Sequence, residues 1–246
     1  MHLTLDIGEN QLIAYKSHES NKKKPTIVFV HGLLSSMESS KAVYLHDWCK
    51  QNDLAFIRFD NLGSGKSSGE FSEQTIGNWL YATEAVIKQL CPHGAILVGS
   101  SKGGWLSLLA AMRNHILVKG LVCLAAAPDF TEDIWEAMTN EDKQKMINGE
   151  VVKFMSVPPY SYDIKYSLIE EAKHYLLLEQ EILPISCKVR LIHGMEDREV
   201  NYKKSLSILD KITSQDALCT IVKTGMHNLS RPQDLELITR NILEVF

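Results

Sequence analysis

Ser101, Asp197 and His227 stand in the chain order of a nucleophile, its orienting acid and its base, and each lies just past an apolar run. Ala95-Ile96-Leu97-Val98 leads into Gly99-Ser100-Ser101-Lys102-Gly103, and Trp105-Leu106-Ser107-Leu108-Leu109-Ala110-Ala111 follows. A strand, a G-x-S-x-G turn and a helix in that succession raise a hydroxyl to the apex of a sharp, strained elbow. The apex residue needs small neighbours two positions away on either side. Gly99 and Gly103 supply them for Ser101, whereas Ser100 would have Val98 and Lys102 there. Ser101 is therefore the expected nucleophile.

The segment from Leu191 to Val200 reads as a strand that ends at Gly194, with Glu196, Asp197 and Glu199 just beyond. Asp197 is the expected acid. Glu196 and Glu199 are local alternatives, and Asp129, after the strand Gly120-Leu121-Val122-Cys123-Leu124, is a more distant one. His227 follows the strand Ala217 to Val222 on a loop before the last helix and is the expected base. His31 and His193 each precede a glycine at a strand end and are expected to hold their loops rather than react. The buried strand Pro25 to Val30 runs into His31-Gly32-Leu33-Leu34. That turn should aim the Leu33 N–H at the top of the sheet, with the Lys102 N–H as second donor, making an oxyanion hole.

This constellation suits acyl transfer to water through an acyl-enzyme, with an ester or thioester as small-molecule substrate and no metal or cofactor. The same triad would serve a peptidase, an amidase or a C–C bond hydrolase. A non-catalytic binding protein is a third class, and the complete triad argues against it. A haloalkane dehalogenase would need an Asp at the apex, where Ser101 stands.

The elements that must position these groups alternate along the chain. Leu3 to Asp6 and Leu12 to Tyr15, joined through Gly8-Glu9-Asn10, read as an opening hairpin. Strands are expected over 26–30 and 54–59, and helices over 39–51, 76–90 and 234–245. Ile76, Leu80, Thr83 and Ile87 form one helical stripe. Gly63-Ser64-Gly65 is a turn, not a phosphate loop: Gly65-Lys66-Ser67 has the G-K-[ST] ending, but no helix follows at once. Such alternation implies an α/β fold, a mostly parallel sheet flanked by helices, within one domain spanning 1–246.

One stretch breaks the rhythm. The connection from Leu124 to Val189 far exceeds the usual length of about 4–6 residues. A short helical lid inserted over 129–187 is expected, with helices over 133–148 and 164–179. Phe154, Met155 and Tyr160, with Pro158, Pro159 and Tyr162 nearby, would roof an apolar acyl pocket. Trp105 is expected beneath the elbow helix rather than in the pocket wall.

These motifs resemble the α/β-hydrolase superfamily. The closer likeness is to abhydrolase-domain enzymes that include mitochondrial acyl-protein thioesterases, acyl-glucuronide esterases and uncharacterised bacterial relatives. His31-Gly32, the stretch Phe59 to Gly69, the elbow Gly99 to Gly104 with Trp105, Asp197, and His227 to Pro232 carry it. The likeness spans residues 26 to 246 and implies a serine hydrolase. Three positions depart from common family usage. Lys102 stands where an apolar residue is frequent, Met226 where an Asp often precedes the His, and Asn201 where a Pro often follows the Val.

Composition agrees with a globular chain. Of its 246 residues 45% are hydrophobic and 23% charged, with a net charge of −4, so neither nucleic acid nor an anionic membrane is favoured as partner. Lys22-Lys23-Lys24 reads as a solvated loop. The five cysteines, Cys49, Cys91, Cys123, Cys187 and Cys219, are scattered without C-x-x-C spacing, which suits a reducing compartment. Met1 to Glu9 carries acids and no uninterrupted apolar region, so neither a signal nor a transit peptide is expected. No apolar run approaches the roughly 20 residues of a membrane span. A cytoplasmic location is the expectation.

Overall fold

Alternate residues of the central strands are buried on opposite faces, and that alternation sets the layers. In the computed structural model, which describes residues 2–155 and 161–246, Ile27 and Phe29 of β3 (Thr26–Val30) face one core and Val28 and Val30 the other. The same split divides β5 (Ala95–Ser100), where Ile96 and Val98 oppose Ala95 and Leu97. A strand buried on both faces is nearly continuous in apolar residues, as these are.

The sheet has eight strands in the order β1-β2-β4-β3-β5-β6-β9-β10. The hairpin β1 (Leu3–Asp6) and β2 (Leu12–His18) is antiparallel, and β2 also runs antiparallel to β4 (Phe56–Phe59). From β4 onward every pairing is parallel, through β6 (Val118–Leu124), β9 (Lys188–Gly194) and β10 (Ala217–Val222). The helices α1 (Ser40–Gln51) and α8 (Pro232–Glu244) cover one face through Leu45, Cys49, Ile238 and Ile242. On the other face lie α2 (Ile76–Leu90) and α3 (Lys102–Arg113), whose Trp79 and Trp105 are fully buried. Thr75 caps α2 by accepting from Asn78 N–H, and Pro232 opens α8 where no N–H is needed. None of the helices among the described residues is long and apolar enough to cross a membrane.

The insertion after β6 departs from the expected pair of helices. The stretch expected as one helix over 133–148 is two, α4 (Phe130–Ala137) and α5 (Asn140–Ile147). The break falls where Thr139 takes an extended backbone and caps α5 through Asp142 N–H. A two-stranded antiparallel hairpin follows, β7 (Val152–Met155) with β8 (Ser161–Ile164). The helix expected over 164–179 is only α6 (Tyr166–Ala172) with a short 3-10 turn to Tyr175, because the chain beyond is recruited elsewhere. Leu177 and Leu178 donate their N–H groups to the Asp129 carboxylate, and Tyr175 accepts from Trp105 Nε1–H. Glu171 accepts from Gly77 N–H in the first turn of α2, where the helix dipole favours an anion. After β9 comes one further helix, α7 (Lys203–Lys211).

Candidate active site

The carboxyl ends of β3, β5, β6, β9 and β10 line up by register: Val30 opposes Gly99, Ser100 opposes Leu124, Leu124 opposes Ile192 and Val222 opposes Gly194. An open parallel sheet presents its site beyond those ends. Ser101 stands there between β5 and α3 with φ +55° and ψ −119°, a strained conformation for a residue with a Cβ. Its N–H donates to the Leu124 carbonyl and its own carbonyl accepts from Ala127, which ties the elbow to β6. The flanking glycines are steric requirements. A Cβ on Gly99 would lie 2.3 Å from the Gly103 carbonyl oxygen, and one on Gly103 would lie 2.0 Å from that of Val30.

Asp197 and His227 sit on the loops after β9 and β10. His227 Nδ1–H donates to Asp197 Oδ2 at 2.8 Å, and the carboxylate is fully buried. Asp197 Oδ1 accepts from the Glu199 and Val200 N–H groups, each at 2.8 Å. Burial pushes this carboxyl up, but bonds from His193 and His227, the His227 charge and the Val200 N–H outweigh it. The group is held well below the usual carboxylate range. Of the other acids weighed, Asp129 is occupied by Leu177 and Leu178, while Glu199 places Oε2 3.7 Å from the opposite edge of the His227 ring.

His193 does more than its place before Gly194 suggested. Its Nε2 faces the Val200 carbonyl at 3.0 Å and Asp197 Oδ2 at 3.1 Å. A carbonyl only accepts, so Nε2 carries the proton and Nδ1 accepts from the Ser205 hydroxyl at 2.7 Å. Asp197 thus receives two imidazole donors on one oxygen. The only sequence signal was the spacing of four residues between His193 and Asp197.

His31 is fixed the same way. Asn61 N–H donates to its Nε2, so Nδ1–H donates to the Gly32 carbonyl at 2.8 Å. Burial, then the neighbouring Lys102 charge, push its pKa down to about 3 against the Gly32 bond, which keeps the ring neutral. The turn it holds lies against the nucleophile: a Cβ on Gly32 would lie 3.9 Å from Ser101 Oγ. Neither the Leu33 N–H nor the Lys102 N–H donates to another group among the described residues.

Ser101, His227, Leu33 and Lys102 open onto one cleft of about 640 Å³. Phe130, Ile134, Ala137, Phe154 and Tyr162 form an apolar side from the insertion, and Ser39, Ser40, Lys41, Glu199 and Asn228 a polar one. Phe154 and Tyr162 oppose each other in the hairpin with ring centroids 5.8 Å apart. Met155, expected beside Phe154 in the roof, does not line the cleft and is 60% exposed. Strand side chains alternate, so adjacent residues of β7 cannot both face inward. Tyr160, with Pro158 and Pro159, lies outside the described residues. Trp105 is fully buried against Phe130 and does not line the cleft. Among the described residues no three His, Cys, Asp or Glu side chains are grouped to hold a metal ion.

Residues 25–158 match the family described as alpha/beta hydrolase fold. The chain belongs to the α/β-hydrolase family. It is 37% identical over 236 residues to mouse palmitoyl-protein thioesterase ABHD10, mitochondrial, covering 95% of this chain and 78% of that one. The solved structure of mouse alpha/beta hydrolase domain-containing protein 10 superposes with a TM-score of 0.88 at 34% identity, covering 99% and 97% of the two chains. A putative hydrolase from Agrobacterium vitis S4 superposes at 0.91 with 29% identity, covering 100% and 97%.

Lys102 places a buried amine directly after the nucleophile. It lies at the start of α3, where the helix dipole disfavours a cation, and it is 1% exposed. Its Nζ has no hydrogen-bond partner among the described residues and sits 3.8 Å above the Trp79 ring. Burial pushes this amine down to about 7 from an ordinary 10.5. Between those values the unfolded chain holds the extra proton, so this group's contribution to stability rises with pH across that window, and its full cost is present below it. Lys102→Met should therefore raise the melting temperature. Losing the desolvation cost, less the ring attraction, is worth on the order of 3 kcal/mol near pH 6, shrinking towards pH 10. Thermal melts across that range check it, and a Met variant less stable than wild type at pH 6 would refute the cost.

Proposed function

We propose that this α/β-hydrolase cleaves thioesters and esters carrying an apolar acyl chain, with Ser101, Asp197 and His227 as its triad. The observation that carries the reading is the 2.8 Å bond from His227 to a buried Asp197 at a cleft that also exposes Ser101. Asp197 holds Nδ1 protonated, which leaves Nε2 as the base. His227 takes the Ser101 proton as Oγ attacks the acyl carbonyl. The Leu33 and Lys102 N–H groups receive the developing oxyanion. The leaving group departs with the bonding pair and takes the His227 proton. Water then repeats the sequence on the acyl-enzyme.

The apolar side supports an acyl chain more than a charged peptide terminus. Asp133, an acid that lines the cleft and could have met a substrate amine, is already paired with Lys204. The name of the mouse relative, a palmitoyl-protein thioesterase, points the same way. That protein and its mammalian counterparts are named as mitochondrial. For this chain our reading is a reducing aqueous compartment, the cytoplasm, resting on five cysteines that are all free thiols.

Rates on nitrophenyl esters from acetyl to dodecanoyl, on matching acyl thioesters and on anilides test the proposal. Each methylene that enters the apolar side should raise kcat/KM about fourfold until the cleft is full. Phe154→Ala should flatten that rise, whereas Met155→Ala, on the outer face of the hairpin, should leave it unchanged. Preference for anilides, or no chain-length trend in the wild type, would shift the reading to a peptidase or a small-ester enzyme.

A further inference from the structure

Among the described residues, Glu199 is the cleft carboxylate that faces the reacting edge of His227, and the mechanism above does not use it. The turn after β9 aims it there: Glu199 N–H donates to Asp197 Oδ1, and the side chain swings back so that Oε2 lies 3.7 Å from His227 Nε2. It is about one-third exposed, and two groups of opposite charge face it. One is His227 when protonated. The other is Lys41 of α1, a buried amine whose Nζ donates to the Asn228 carbonyl and feels the charges of Asp234 and Glu199. Lys41 therefore pins both the histidine loop and the charge balance around Glu199.

At 3.7 Å the contact is too long for a hydrogen bond but short enough for a charge pair. In the resting state Nδ1 holds the proton, and Glu199 meets only the Nε2 lone pair. Once Ser101 has given up its proton, Nε2–H carries part of an imidazolium charge and Glu199 stabilises it. The interaction is therefore stronger in the transition state than in the ground state, which is the condition for acceleration. It has a second consequence. An imidazolium stabilised by the Glu199 charge gives up its proton less readily.

We infer that Glu199 sets the leaving-group preference, favouring thiols over alkyl alcohols and amines. The inference rests on the hydrolase reading above and concerns the same site. When the tetrahedral intermediate collapses, the carbonyl re-forms and the C–S electron pair departs on sulfur. A thiol of pKa about 8.5 leaves as the thiolate and takes the Nε2 proton afterwards. An alkoxide or amide anion is far more basic and must receive that proton as the bond breaks. Stabilising the imidazolium thus helps the first class in both stages and slows the second in the collapse. Glu199 is a specificity-determining residue in this account, not a proton donor.

The test compares octanoyl-N-acetylcysteamine, a neutral thioester, with ethyl octanoate on wild type, Glu199→Gln and Glu199→Val, each checked for folding by thermal melt. Both substitutions should lower the thioester-to-ester ratio of kcat/KM, which reports acylation and not hydrolysis of the shared octanoyl-enzyme, by about fivefold, the upper range for a partly exposed charge pair. Fluorophosphonate labelling of Ser101 should persist in both. A ratio unchanged in the two variants, in enzyme that still labels and turns over, would overturn the role of Glu199 alone. A wild type that hydrolyses neither substrate and does not label overturns the hydrolase reading, and this inference with it.

Discussion

Ser101→Ala should abolish covalent labelling by a fluorophosphonate and lower kcat by about 10⁶-fold, the loss seen when an acyl-transfer serine is removed from an intact site. The residue is singled out by backbone as well as by chemistry. Its positive φ holds the side chain above the ends of the strands, and the close approaches at Gly99 and Gly103 permit that turn only with glycine on both sides. Alanine keeps the Cβ and so keeps the strain, which costs on the order of 1–3 kcal/mol in either protein. The variant should therefore melt near the wild-type temperature while being inactive. Ser100→Ala is the control. Ser100 is the last residue of β5, buried and paired with Leu124, and its loss should leave labelling in place. Labelling that survives Ser101→Ala and maps to another side chain would reassign the nucleophile.

The elbow was legible because its sequence signal is local, although Val30, Leu124 and Ala127 also hold it in place. An apolar strand, two glycines at fixed offsets and a run of small apolar residues declare β5, the turn and α3 without reference to the rest of the chain. The parallel sheet was legible for a related reason, since alternating apolar segments and helical stripes leave few other topologies. What resisted reading depends on contacts between distant segments. The hairpin of β7 and β8 has only four residues in each strand, too few for alternation to stand out, so the sequence places Met155 beside Phe154 although they point to opposite faces. The helix expected over 164–179 ends early because Asp129 and Trp105, far upstream, claim the backbone of Tyr175, Leu177 and Leu178. The position of Lys102 over Trp79 joins α3 to α2, and no spacing along the chain announces it. The second donor to Asp197 was hidden in the same way. His193 and Asp197 meet only because the loop after β9 folds back through the Val200 N–H and carbonyl.

That doubly bonded carboxylate makes Asp197→Asn the second large effect. An Asn amide offers one acceptor oxygen and one donor nitrogen where the Asp offers acceptors only. Two imidazole N–H groups now converge on Oδ2, and two backbone N–H groups on Oδ1. Whichever way the amide turns, its NH₂ meets donors on one side. If it faces the rings, His227 is driven to the tautomer with its proton on Nε2, which cannot accept from Ser101. The expected fall in kcat is about 10⁴-fold, the size seen for the corresponding change in another triad. Glu199, on the far edge of the ring, cannot restore the Nδ1 partner, so it offers no rescue. Stability carries an independent signature. The folded carboxyl lies well below the unfolded value of 3.8, so its contribution is complete above that value and is lost as pH falls towards the folded one. The melting-temperature gap between wild type and Asp197→Asn should therefore be full at neutral pH and narrow below about pH 4. Asp129→Asn should behave oppositely, loosening the insertion while sparing chemistry, because its partners are Leu177 and Leu178 N–H groups. Near-normal kcat in Asp197→Asn, with collapse in Glu196→Gln or Asp129→Asn, would place the orienting acid elsewhere and leave the 2.8 Å bond to His227 a purely structural contact.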